Sequence, residues 1–311
     1  MKSRQLQATT GGLFAITALA VIFGLTAVLA RYLGTNTELF EQWYLRYGIM
    51  FPLSILVFHR QVTFRKFLDL PGKEWGIILF RAFIGSVLAV GLYTLAAEQA
   101  KIGVVAFMQV LPSTAVLGIL LFHERVSRAR AGTILLAFLG ASLVVVNSLS
   151  DLADINMGAV WSLVSGILFG LTFVTRKWHS KKLNNQELTV AIIGAGFVMN
   201  YILSLVLYRR FFVSTAQWDM QFVLVLMVAG CLGVANIFLI NYGFERVSAV
   251  IASNVLALEQ VFGTFLGFVF YHETLSLREV VGGLIILGAV ILTNQLNNRE
   301  KVRDELKPAP D

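Results

Sequence analysis

Phe23-Gly24-Leu25-Thr26 lies inside the first long apolar stretch of the chain, and the same four residues recur as Phe169-Gly170-Leu171-Thr172, 146 positions later. A His-Glu pair follows a later apolar stretch in each half, at His123-Glu124 and at His272-Glu273, with a spacing of 149. Landmarks that recur in one order at nearly one spacing indicate an internal duplication.

The duplication divides the chain. A third repeated motif, Leu-Gly-Ala, occurs at Leu139-Gly140-Ala141 and at Leu287-Gly288-Ala289, with a spacing of 148. We therefore predict one unit at residues 1–150, a second at 151–296, and a flexible cytoplasmic tail at 297–311.

Composition places the chain in a membrane. Hydrophobic residues make up 57% of it and charged residues 14%, with a mean hydropathy of +0.75, whereas soluble domains carry about 25% charged residues. The single cysteine, Cys231, excludes an intrachain disulfide. The net charge of +7 comes from basic residues that lie between apolar stretches rather than on one patch, so it does not indicate nucleic-acid binding.

Ten apolar stretches have about the length of 17–25 residues that crosses a bilayer. They lie at about 11–31, 39–58, 75–97, 103–122, 131–148, 157–175, 187–208, 220–243, 248–270 and 279–295.

Basic residues between these stretches set the expected orientation. With the N-terminus inside, 18 of the 25 lysines and arginines fall on the inner side and 5 on the outer side, while Arg46 and Arg81 lie within spans. Cytoplasmic loops carry the excess of positive charge. We therefore expect a multi-pass protein of the cytoplasmic (inner) membrane with both termini in the cytoplasm.

The odd number of spans in each unit determines how the two copies relate. After five spans the chain is on the opposite side of the membrane, so the second copy begins there and has the inverted orientation. The predicted fold is therefore an all-α polytopic membrane protein with ten transmembrane helices in two inverted five-helix repeats. Inverted repeats allow a central site to open to one side of the membrane and then to the other. The organisation therefore favours a carrier over a membrane enzyme or a channel.

Several motifs resemble the EamA-type members of the drug/metabolite transporter superfamily. Leu45-Arg46-Tyr47 in the second span is similar to that family's arginine followed by an aromatic residue. Leu111-Pro112 in the fourth span and Leu258-Glu259-Gln260 in the ninth resemble its Leu-Glu-Pro motif, although the fourth span lacks the glutamate and Gln260 replaces the proline. Each is followed by a His-Glu version of the family's Gly-Glu-Arg-Leu-Ser.

The resemblance covers about residues 11–295 and implies a secondary transporter rather than an enzyme. The expected substrate is a small organic metabolite, an amino acid or a related compound, and export is the expected direction. The alternative is uptake or exchange of a nucleotide-derived or sugar-type metabolite. The resemblance implies no cofactor, and a monomer and a homodimer both remain open.

Glu259 is the clearest charged residue within a span. Charge inside a bilayer is costly and is therefore often functional. Gly263 and Gly267 follow at intervals of four and share its helical face, which predicts that Glu259 faces protein. It is either a substrate-binding or proton-coupling carboxylate, or a structural one bonded to its neighbours.

Two arginines also lie within spans. Arg46 follows Trp43 by three residues on the same helical face. It either binds a substrate carboxylate or phosphate, or reaches the outer surface or pairs with Glu41. For Arg81, close to the inner end of the third span, reaching the inner surface is the favoured interpretation.

Uncharged polar and aromatic residues in the spans complete the candidate cavity lining, although each also suits hydrogen bonding between helices. They are Tyr93, Gln109, Ser113, Trp161, Asn236, Asn241, Tyr242 and Asn254.

The sequence offers no signature of other chemistry. It contains no Gly-rich phosphate loop ending in Gly-Lys-Ser or Gly-Lys-Thr, no Gly-x-Ser-x-Gly turn, and no cluster of residues at metal-ligand spacing. We therefore expect no catalytic or metal-binding residue. The four histidines, His59, His123, His179 and His272, fall near span ends and are expected to anchor at the membrane interface.

Overall fold

The computed structural model describes residues 2–34, 37–99, 109, 113–123, 126–145, 157–180, 182–209, 211–212, 218–272 and 276–305. In the first half these form α1 (Lys2–Leu33), α2 (Leu39–Phe58), α3 (Arg65–Leu68), α4 (Gly72–Arg81), a π-helical segment (Ala82–Ala89), α5 (Val90–Gln99), α6 (Ser113–Phe122) and α7 (Arg128–Val145).

The second half contains α8 (Met157–Val174), a 3₁₀ segment (Thr175–Trp178), α9 (Asn185–Tyr208), α10 (Met220–Arg246), α11 (Ala249–Leu256), α12 (Leu258–Tyr271) and α13 (Leu277–Glu305). All regular elements in the described ranges are helices, in agreement with the predicted all-α class.

Polar side chains define where several helices begin. Asn184 accepts a 2.7 Å hydrogen bond from the backbone N–H of Glu187, and the Glu187 carboxylate accepts one from the Asn184 N–H, which together cap α9. Asp219 accepts from the backbone N–H of Phe222 and caps α10 in a similar way.

The two repeat-related histidines end helices in the same conformation. His123 follows α6 and His272 follows α12, and both have a φ of 52°. Left-handed backbone commonly closes a helix C-terminus, and histidine tolerates it better than β-branched residues do. The repeated His-Glu pairs therefore include a helix stop.

Five helical segments of the described chain are long and apolar enough to cross a membrane: Thr9–Ala30, Gly72–Ala96, Asn185–Tyr208, Met220–Arg246 and Ala249–Phe270. Ser113–Phe122 and Val280–Thr293 are shorter apolar helices. A polytopic membrane protein is therefore supported, whereas the number ten stays a prediction.

Helix packing relates the two halves in pairs. α1 packs against α10 and α12, while α8 packs against the π-helical segment with α5 and against α6. α2 packs on α9, α6 on α11, and α7 on α13. The contacts of α1 with α10 and α12 in this described set therefore have counterparts in those of α8 with the π-helical segment, α5 and α6.

Two boundaries differ from those expected. Ala257 interrupts the ninth predicted span between α11 and α12, and its N–H bonds to the Asn254 carbonyl three residues back. α13 extends to Glu305, so residues 297–305, expected in the flexible tail, are helical, and 306–311 lie outside the described residues.

Candidate functional site

A cavity between the two halves contains most of the predicted site residues. Its volume is about 130 Å³. Glu259, Arg46, Trp43, Arg81, Tyr93, Gln109 and Asn236 all line it.

Arg46 is held by an aromatic ring. Its guanidinium carbon lies 4.2 Å from the centre of the Trp43 ring, and the Trp43 Nε1 donates a 3.2 Å hydrogen bond to Oγ1 of Thr94. Arg46 is 2% exposed, and its Nε and Nη1 atoms have no hydrogen-bond partner among the described residues. The structure shows no ion pair with Glu41 in the described set, so stacking rather than pairing holds Arg46.

Glu259 lines the same cavity, in the first turn of α12 just after the break at Ala257. No hydrogen bond to its carboxylate forms among the residues described. Tyr93 lies within electrostatic range of both Glu259 and Arg46. One cavity therefore contains a carboxyl and a guanidinium, with a phenol near both.

A helix packs closely against the glycine stripe expected beside Glu259, at Gly263. A Cβ atom at Gly263 would meet nothing within 4 Å, whereas one at Gly24 would lie 3.1 Å from the backbone nitrogen of Gly263. In the second half, a Cβ at Gly170 would lie 3.2 Å from the backbone nitrogen of Thr114. The glycines of the repeated tetrapeptide therefore permit the close helix contacts.

Four of the predicted residues are not in the described lining of the cavity. Asn254 donates to Oγ1 of Thr293 on α13, and Ser113 donates to the Gly166 carbonyl. Tyr242 stacks under the Arg246 guanidinium at 3.7 Å. Trp161 is half-buried on α8 and, like these three, is not among the described residues that line the cavity.

The repeated tetrapeptide supplies lining residues that are absent from the predicted set. Phe23 and Phe169 lie with ring centroids 6.3 Å apart, and Thr26 and Thr172 line the same cavity. Phe173 packs on both rings, with centroids 6.1 Å and 5.9 Å away. The exact recurrence of the motif was the signal that marked these positions.

The π-helical segment also contributes to the wall. Gly85 and Ser86 line the cavity, and a Cβ atom at Gly85 would lie 2.8 Å from Cγ2 of Thr172. π-Helical turns frequently occur at functional sites because they turn side chains out of the regular helical register.

Arg81 forms one end of the cavity, and the expectation that it reaches the inner surface is wrong. It is 1% exposed, its Nε donates to the Thr172 carbonyl at 3.2 Å, and its Nη1 donates to Oδ1 of Asn241 at 2.9 Å. Two acceptors on the second half hold the guanidinium inside because they replace the hydrogen bonds that it would make with water.

A polar network continues from Arg81 toward the predicted cytoplasmic end. Arg176 donates to the Asn241 carbonyl at 3.1 Å and to Oδ1 of Asn185, and its Nη2 lies 3.2 Å from the Glu245 carboxylate. Asn241 is therefore bonded by both arginines. Arg176, Asn185 and Glu245 were not among the predicted residues because their positions near span ends suggest solvent contact.

His179 belongs to the same end of the molecule and is not the interfacial anchor expected. Its Nδ1 lies 3.0 Å from the Glu74 carboxylate, which also accepts from the Ser180 N–H at 2.9 Å. Burial lowers the pKa of His179 to about 4 from its ordinary value of 6.5. The charges of Arg81 and Arg176 lower this pKa further, and the bond to Glu74 opposes them.

The arrangement suits binding of a small polar molecule with an apolar body. It combines aromatic walls with a few hydrogen-bonding groups, which is typical of ligand sites. In the described part of the chain, no group of three or more histidine, cysteine, aspartate or glutamate residues is placed to hold a metal ion.

One curated relative is named as a transporter and another as a WAT1-related protein. The chain is 25% identical over 281 residues to an uncharacterized transporter of Archaeoglobus fulgidus, covering 89% of this chain and 94% of the relative. It is 24% identical over 159 residues to a WAT1-related protein of Arabidopsis thaliana, covering 50% of this chain and 43% of the relative.

A solved crystal structure has the same fold. It superposes with a TM-score of 0.73 at 15% identity and covers 93% of this chain and 98% of the other. The model of the EamA-like transporter family matches residues 10–146 and again 156–295. These matches confirm the predicted resemblance: the chain belongs to the EamA-like transporter family and is an integral, multi-pass membrane protein.

Proposed function

We propose that this protein is a secondary active transporter that moves a small organic metabolite, an amino acid or a related compound, out of the cytoplasm by alternating access. The observation that carries the proposal is the central cavity, which is lined by both halves of the chain and contains the repeat-related Phe23 and Phe169. A site between duplicated units can be opened from either side when the units exchange conformations.

Two inverted five-span units, at 1–150 and 151–296, are part of the proposal. The family model matches once in each half. The recurrence of helix contacts when the halves are exchanged, and the shared φ of His123 and His272, support the same arrangement. A parallel arrangement of the halves, or an odd number of spans, in an experimental structure would contradict it.

We assign roles to the two charged groups of the cavity. Arg46 binds the carboxylate of the substrate, because it lines the cavity and its buried Nε and Nη1 atoms have no hydrogen-bond partner among the described residues. Glu259 carries a proton with or against the substrate. A carboxyl that faces a cavity without protein partners can load and release a proton more readily than one held in an ion pair.

Counterflow in liposomes tests the proposed class. Purified protein is reconstituted into liposomes loaded with a candidate metabolite, and uptake of the same labelled metabolite is followed. A carrier shows uptake stimulated by the internal substrate, whereas a channel or an enzyme does not. Lack of this stimulation across amino acids, their keto-acid relatives, nucleotide derivatives and sugars would contradict a carrier.

The proposed orientation places both termini in the cytoplasm of the inner membrane. A fluorescent protein fused to the C-terminus should fluoresce, and a periplasmic phosphatase fused there should be inactive. The opposite pattern would reverse the orientation and with it the assignment of the Arg81 and Arg176 network to the cytoplasmic end.

A further inference from the structure

The cavity contains two buried arginines that have no acidic partner among the described residues. Arg46 is 2% exposed and stacks on Trp43, and Arg81 is 1% exposed and bonds two neutral acceptors. Arg176, in contrast, lies 3.2 Å from Glu245 and is compensated. A buried charge without a counter-charge is unfavourable, and its retention points to a ligand that supplies the opposite charge.

The net charge of the described lining is positive in either protonation state of Glu259. Its charged groups are Arg46, Arg81 and Glu259. With Glu259 ionised the sum is one positive charge, and with Glu259 protonated it is two. A neutral zwitterion therefore leaves the excess charge uncompensated, whereas a ligand with net negative charge reduces it.

The geometry of Arg46 favours a carboxylate as the source of that charge. Stacking on Trp43 occupies one face of the guanidinium, and the Trp43–Thr94 bond fixes the ring. The Nε and Nη1 atoms are buried and have no hydrogen-bond partner among the described residues, so their bonding capacity is left unused. A carboxylate is the organic anion whose oxygen atoms suit the planar, multiply donating guanidinium.

The remaining wall favours an apolar body. Phe23, Phe169 and Phe173 line the cavity and lie within 6.3 Å of one another by ring centroid. We infer that the cavity selects organic carboxylates of net negative charge with an aromatic or branched apolar body, in preference to the corresponding amino acids and amines. This inference rests on the proposed transport function and narrows its substrate class.

Binding of a matched ligand series tests the inference. Phenylpyruvate, phenylalanine and phenethylamine share one body and differ in net charge, and indole and branched-alkyl series repeat the comparison. Dissociation constants are measured with purified protein in detergent by isothermal titration calorimetry. The carboxylates should bind tightest and the amines weakest in each series. Tighter binding of an amino acid or amine, or no binding of any carboxylate, would overturn the inference.

Variants of Arg46 test whether this arginine produces the preference for ligands of net negative charge. Arg46→Gln should weaken carboxylate binding roughly 10- to 100-fold, since charge-assisted hydrogen bonds are lost. Arg46→Lys keeps the charge without the planar guanidinium and should lose less. Arg60→Gln, at an exposed arginine just after α2, is the control and should bind as the wild type does. Equal carboxylate affinity in Arg46→Gln and Arg60→Gln would refute the assignment.

Counterflow separates this inference from the function on which it rests. Stimulated exchange of phenylalanine in preference to phenylpyruvate would support the carrier function and contradict the preference for ligands of net negative charge. Tight binding of carboxylates without stimulated exchange would support the anion site and contradict the carrier.

Discussion

Nη1 of Arg81 donates a 2.9 Å hydrogen bond to Oδ1 of Asn241, which joins the first half of the chain to the second at one end of the cavity. The backbone carbonyl of Asn241 accepts from Arg176 at 3.1 Å, and its side-chain nitrogen donates to Oγ1 of Thr189 at 3.2 Å. Every polar group of this side chain is therefore used, so the contact depends on an amide at position 241.

Asn241→Ala should destabilise the protein by about 2–4 kcal/mol, because it leaves a buried guanidinium without one of its acceptors. Asn236→Ala is the matched control, since Asn236 lies on the same helix and its Oδ1 has no hydrogen-bond partner in the described structure. Thermal unfolding of both variants in detergent measures the difference. Similar midpoints for the two would show that the amide at 241 contributes little.

The repeat-related glycines Gly140 and Gly288 should respond differently to alanine. A Cβ atom at Gly140 would lie 2.8 Å from the Gly282 carbonyl oxygen, whereas one at Gly288 would meet nothing within 4 Å. Gly140→Ala should therefore cost about 1–3 kcal/mol by forcing α7 and α13 apart. Gly288→Ala should be neutral or stabilise by up to about 1 kcal/mol through helix propensity.

Thermal unfolding midpoints in the same detergent decide this second comparison. A larger loss at Gly288 than at Gly140 would contradict the packing of α7 against α13.

Glu259→Gln should separate exchange from accumulation. The amide keeps the shape and hydrogen-bonding capacity of the side chain but cannot ionise. If Glu259 carries the coupled proton, the variant should still exchange substrate in counterflow and should fail to accumulate it when a pH gradient is imposed across the liposome. Asp69→Asn, at an exposed carboxylate outside the cavity, should behave as the wild type. If the Glu259→Gln variant accumulates substrate with unchanged pH dependence, Glu259 does not carry the coupled proton and its role is structural.

His179 should make stability depend on pH in mildly acidic solution. Its pKa is lowered to about 4 in the folded protein from 6.5, chiefly by burial. The unfolded chain therefore binds a proton at this residue between pH 6.5 and pH 4 while the folded chain does not, so stability falls as the pH falls through this window. The loss between pH 7.5 and pH 5 should be about 2 kcal/mol.

His179→Asn isolates that contribution. Asparagine can donate to Glu74 but does not titrate, so unfolding midpoints of the variant should change less between pH 7.5 and pH 5 than those of the wild type. Parallel pH profiles would indicate that His179 is protonated in the folded protein or is accessible to water.

The class of the protein and its family were readable from sequence because their signals are local. Apolar stretches of bilayer length, a tetrapeptide repeated at Phe23 and Phe169, and charged residues inside spans require no knowledge of neighbours. Glu259 and Arg46 were selected as cavity residues for this reason: a charge in an apolar helix must face protein, whichever helix lies opposite.

Only the tertiary structure decided which polar residues meet. Whether Arg81 reaches the surface or bonds Asn241, and whether His179 anchors at the interface or bonds Glu74, depends on partners about 100 residues or more away in sequence. The rotation of each helix, set by backbone contacts such as Gly24 against Gly263, determines which face meets the cavity. For that reason Tyr242 and Asn254 lie outside the described lining, although they are polar residues in apolar segments as Asn236 is. Phe23 and Phe169 form part of the lining.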